Sequence, residues 1–148
     1  MASLAVGTAA RPLARLRVES AMRLVATGLE RGRTAAQRQG RACVLELTAN
    51  GWEAPEGESL PGCRGAATAL QEDTGAVAVE LQHNFAGVVR FSSNGLVLDG
   101  GTVVVSAPGT DLRRCLVMGL PLGVVRLGRY ASQGGGVGSG ACRPDPAL

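Results

Sequence analysis

The stretch VESAMRLVATGLERGRTAAQRQGRACVLELTANGW, residues 18–52, holds the change of period on which the fold turns. Up to Gly40 the apolar residues return at helical spacing. Val18, Met22, Val25, Leu29, Gly32 and Ala36 alternate steps of four and three, which draws one continuous stripe along a helix face. Arg15, Arg17, Arg23, Arg31, Arg33 and Arg38 fall mainly off that stripe. Gly28 and Gly32 each weaken a helix by about 1 kcal/mol relative to Ala, and each lets another part of the chain approach closely. Gly40 suits the C-terminal cap, with Arg38 and Arg41 at the negative end of the helix dipole. Beyond Gly40 the period drops to two. In Ala42–Thr48, residues Cys43, Leu45 and Leu47 share a face, and Asn50-Gly51 closes a turn before Trp52.

Working outward, the pattern predicts a helix over Leu13–Gln39, roughly 40 Å long, and a chain of short strands after it. The strands expected are 42–48, 76–82, 88–92, 96–99, 102–106, 113–119 and 124–130. The turns Asn94-Gly95 and Gly100-Gly101 separate several of them. The fold class is therefore α+β: a long N-terminal helix packed on an antiparallel β-sheet or sandwich of about seven short strands. Residues 53–75 read as an acidic loop rich in Pro and Gly. Residues 131–148, with the glycine run 134–140, read as a flexible tail unless Cys142 pins it. The organisation expected is an apolar remnant at 1–10, the basic helix at 11–40, the β domain at 41–130 and the tail at 131–148.

Charge is unevenly placed. Residues 1–41 carry eight Arg against Glu19 and Glu30; residues 42–148 carry seven Arg against ten acids. A basic arm on a mildly acidic body reads as an interaction element for acidic neighbours, anionic lipid or nucleic acid. Lysine is absent, which excludes a Schiff-base lysine and a phosphate-loop lysine. The single histidine, His83, sits at a strand end and is read as a loop residue, not a base. The acidic pair Glu72-Asp73 reads as solvated loop, so no catalytic residue, cofactor or metal site is expected. Cys43, Cys63, Cys115 and Cys142 lack any zinc spacing; their even number permits two disulfides in an oxidising compartment, with all three pairings open. Arg113, Arg114, Arg126, Arg129 and Arg143 form a late basic group, the candidate DNA contacts if the last strands pair. The alternative is that acids such as Glu46 or Glu80 pair with them across strands.

The order of these features resembles that of type IV pilins and pseudopilins, and in particular the GspH/FimT family of minor pseudopilins. Phe91-Ser92-Ser93-Asn94-Gly95 is similar to that family's F-x-x-x-G turn, and Gly100-Gly101-Thr102-Val103-Val104-Val105-Ser106 to the strand that follows it. Arg114-Cys115-Leu116-Val117-Met118 and Gly123-Val124-Val125-Arg126-Leu127-Gly128-Arg129 resemble its closing strands, and residues 30–40 its helix end. The resemblance spans roughly residues 13–130. It implies a structural subunit of a type II secretion or type IV pilus filament, on the periplasmic side of the inner membrane. Its partners would be other pseudopilins or pilins met through the N-terminal helix, covering the N-terminal half of the stripe while the β domain buries its C-terminal half. Family members begin with a processing site and an apolar segment, and Met1–Val6 reads as the stub of one. An anchor in the inner membrane is expected only where such a segment lies upstream. At least one disulfide is expected, with Cys142 the member that anchors the tail. Two other readings stand beside this one: a DNA-binding pilin-like protein for DNA uptake, and an unrelated soluble β protein with a basic helix.

Overall fold

In the computed structural model, residues 2–70, 79–131 and 135–145 are described, with the side chains of the helix described from Pro12 onward. A single helix α1 runs over Ala2–Gln39 and continues through Pro12, so it starts well before the expected Leu13. It stops where the sequence asks it to. Gly40 takes the left-handed conformation, φ +65°, and its N–H reaches back to the Gln37 carbonyl at 3.3 Å.

Nine strands follow among the described residues, in two antiparallel sheets. The first sheet is built from β1 (Cys43–Thr48), β2 (Gly51–Glu53), β3 (Thr68–Ala69) and β5 (Val89–Phe91), in the order β3-β2-β1-β5. The second is built from β4 (Glu80–His83), β6 (Gly101–Ser106), β7 (Arg114–Gly119), β8 (Val124–Tyr130) and β9 (Cys142–Arg143), in the order β4-β6-β7-β8-β9. Helix α1 touches strands of both sheets. The main core lies between them: Val18, Met22, Val25 and Leu29 from the helix, Leu45, Trp52, Val89 and Phe91 from one sheet, Val103, Val105, Leu116 and Met118 from the other.

The second sheet alternates so that its opposite face is apolar as well. Val104, Cys115, Tyr130 and Cys142 are buried there, with Val117, Val137 and Ala141 packed against them. That second face fixes the tail. Its described residues make a short 3-10 turn at Ser139–Ala141 and then β9, paired to β8 with Arg129 opposite Arg143. Of the two outcomes left open for the tail, residues 135–145 show the pinned one, with Cys142 bridged to Cys115.

One strand reading changes. Leu96–Asp99 forms no strand; only Val97 makes an isolated bridge to Phe91. The physical reason is side-chain competition for the backbone. Asp99 Oδ2 accepts the Arg90 N–H at 2.8 Å, and Ser92 Oγ accepts the Leu96 N–H at 2.9 Å, where strand carbonyls would otherwise serve. Residues 71–78, which hold Glu72-Asp73 and the first three residues of the expected 76–82 strand, lie outside the described residues; β4 starts at Glu80. The strands β2, β3 and β9 are two or three residues long, too short to show a period.

Candidate interaction surfaces

The helix seat is made by side chains of the chain's own β domain along the whole described stripe. Val18, Met22, Val25, Leu29 and Ala36 are each 3% exposed or less. Sequence reasoning reserved the N-terminal half of the stripe for partner subunits; Val18 and Met22 are instead covered by this chain itself. The two stripe-side glycines explain the fit. A Cβ at Gly28 would lie 2.1 Å from Trp52 Cδ1, and one at Gly32 would lie 2.6 Å from Phe91 Cε2. The close approach is by aromatic rings, not by another helix. The Trp52 indole N–H donates to the Val25 carbonyl at 2.9 Å inside the core, so the ring is bonded to the helix it wedges against.

What the stripe does not use remains outside. Leu13 and Leu16 are 56% and 57% exposed, and Arg23, Arg31 and Arg38 are exposed further along. Leu13 and Leu16 are three residues apart and so lie on one side of the helix.

The late arginines do not assemble into an open patch. Arg114 is buried, with its guanidinium 3.2 Å from Glu19 on the helix and 3.3 Å from Asp145 in the tail. Arg129 lies 3.7 Å from the same Asp145. Arg126 donates to the carbonyls of Cys142 and Ser139, and Arg113 lies 5.3 Å over the Tyr130 ring. Arg143 is the exposed member with no acid drawn to it among the described residues. The paired acids also differ from those expected, since Glu46 faces Glu53 and Glu80 faces Ser106 across their strands. No local signal marks Glu19 and Asp145 as partners: they lie 95 and 31 residues from Arg114.

A second ion pair was missed altogether. Arg90 holds Asp99 through its Nε at 2.9 Å and a terminal nitrogen at 3.1 Å, beside the backbone bond already described. Partial burial alone would raise the Asp99 pKa, but the bonds and charge of Arg90 outweigh it and leave the carboxyl below its ordinary value. His83 is fully engaged: its Nδ1 accepts the Phe85 N–H and its Nε2 faces the Leu47 carbonyl, both at 3.2 Å. With the proton on Nε2 both contacts are satisfied, and the ring ties β4 to β1 of the other sheet.

The cysteines close two bridges. Cys43–Cys63 fastens the loop after β2 to β1, and Cys115–Cys142 fastens the tail to β7. Among the described residues no helix is long and apolar enough to cross a membrane.

Comparison with known proteins returns one family. A family model described as type II transport protein GspH matches residues 21–121, more than half of the chain. No curated protein and no solved structure matches.

Proposed function

The chain belongs to the family of the type II transport protein GspH, and from that premise we propose that it is a structural minor pseudopilin that enters a short filament by its helix. The role is type II secretion in the first place, with pilus assembly as the sister role of the same architecture. No step of it calls for a catalytic residue. The observation that carries the reading is the division of labour on α1. One face is consumed by the chain's own sheets from Ala14 to Ala36, and a second face at the N-terminal end leaves Leu13 and Leu16 more than half exposed. Large apolar side chains grouped on one helix side, next to arginines, fit the contact of a neighbouring helix, where apolar packing supplies affinity and Arg–carboxylate pairs set register.

The location proposed is the periplasmic side of the inner membrane. Two disulfides support it, because such bridges persist in oxidising compartments. The partners proposed are other pseudopilins. DNA uptake is the weaker reading, since Arg114, Arg129, Arg126 and Arg113 are engaged within the molecule. A host deleted for this gene, complemented with the chain or with its Leu13→Asp/Leu16→Asp variant, tests the proposal. The variant should melt like the parent yet fail to restore export of a secreted enzyme. Full restoration by a stably folded double variant would refute the helix-contact role.

A further inference from the structure

A groove of about 590 Å³ lies between the C-terminal half of α1 and the loop that Cys63 staples to β1. Arg31 and Arg38 line one wall and Arg64 the other. All three are exposed, and none is in an ion pair among the described residues, unlike Arg33, Arg90, Arg114 and Arg129. The one acid on the groove, Glu30, is turned to Arg33 at 3.6 Å. The groove is thus a cationic cleft.

We propose that this cleft binds an extended, acidic polypeptide segment of a partner protein. Arg31 and Arg38 stand two helical turns apart on one face, roughly 10 Å along the axis. An extended chain covers that distance in three residues at about 3.3 Å each. Carboxylates at alternate positions i, i+2 and i+4 share one face of such a segment and span about 13 Å, so they meet the two helix arginines, with Arg64 closing over them from the loop. The surrounding loop favours the same occupant. Residues 53–66, the loop that carries Arg64, also hold Glu53, Glu56 and Glu58, so a long polyanion laid along that loop would meet like charge. This inference does not rest on Leu13 and Leu16, and it stands or falls apart from the filament role.

The test is fluorescence polarisation of the purified, disulfide-bonded chain with a labelled octapeptide carrying Glu at positions 2, 4 and 6 among alanines, at low salt. A peptide with Lys at those positions and a labelled 20-base-pair duplex serve as comparison probes. The Glu peptide should bind saturably and the Lys peptide should not. Arg31→Glu and Arg64→Glu should each weaken binding about tenfold or more, while Arg143→Glu, outside the groove, leaves it unchanged. All three sites are exposed, and an unchanged melting curve confirms the fold of each variant. Absence of saturable Glu-peptide binding would overturn the proposal. So would equal loss in Arg143→Glu, or tighter binding of the duplex through Arg31 and Arg64.

Discussion

Gly28→Ala puts the helix seat to its sharpest test, because two effects of opposite sign meet at one atom. In an isolated helix the change stabilises by about 1 kcal/mol. Here the new methyl would lie 2.1 Å from Trp52 Cδ1, 2.6 Å from Nε1 and 2.9 Å from Cγ. The ring is 1% exposed and cannot swing into solvent. Moving it strains the core, at about 1–3 kcal/mol. It also parts the indole N–H from the Val25 carbonyl, 2.9 Å away, which leaves buried polar groups unpaired at about 1–3 kcal/mol. Against the helix-propensity gain, the net is a loss of roughly 3 kcal/mol. At this chain length each kcal/mol moves Tm by about 2–4 °C, so the melt should fall by about 6–12 °C. The chain has one tryptophan, so its fluorescence reports on this contact directly, and the emission should shift as the ring moves. Gly40→Ala is the control: nothing lies within 4 Å of its Cβ, and only the positive φ costs, about 1 kcal/mol. A Gly28→Ala protein that melts at or above the parent, with unchanged Trp52 emission, would refute the seat as described.

Other expectations follow from the same contacts. Replacing Cys43 and Cys63 together by Ala removes a bridge of sequence separation 20, and replacing Cys115 and Cys142 one of 27; each should cost about 3–4 kcal/mol in a denaturant titration. Glu19→Ala, which strips a carboxylate from buried Arg114, should destabilise by about 2–3 kcal/mol, whereas Arg114→Met, which removes the buried charge, should be milder in the same titration. Asp99 has a lowered folded-state pKa, so its contribution is present above about pH 4 and is lost as pH falls through that lowered value. The stability gap between parent and Asp99→Asn should therefore be widest near neutral pH and shrink in acid; a gap that does not change with pH would contradict the assignment.

The helix and the α+β class were legible because a 4-3 stripe followed by alternation at Ala42–Thr48 admits little else. The cap at Gly40 and the turns at Asn50-Gly51 and Asn94-Gly95 were legible for the same reason: their chemistry is local. The partition into two sheets was not, since it depends on which distant strands pair, and β1 takes β5 although β2, β3 and β4 lie between them in sequence. The ion pairs of Arg114 were illegible because Glu19 and Asp145 are brought to it only by the packed helix and the stapled tail. The covering of Val18 and Met22 was missed because a stripe reports that a face is buried and not by whom. Leu96–Asp99 reads as a strand by composition, yet Ser92 and Asp99 side chains take over the backbone bonds there, a competition that periodicity does not record.

The central claim is that α1 meets a neighbouring pseudopilin through the face its own domain leaves bare, and photo-cross-linking in the host tests it most directly. A photoreactive amino acid placed at position 16, where Leu16 is 57% exposed, and separately at the exposed position of Arg143, is activated in intact cells. The account predicts a covalent adduct with another pseudopilin from position 16, and none from position 143. Adducts from position 143 alone, or none to any pseudopilin from position 16 in a secreting cell, would contradict it.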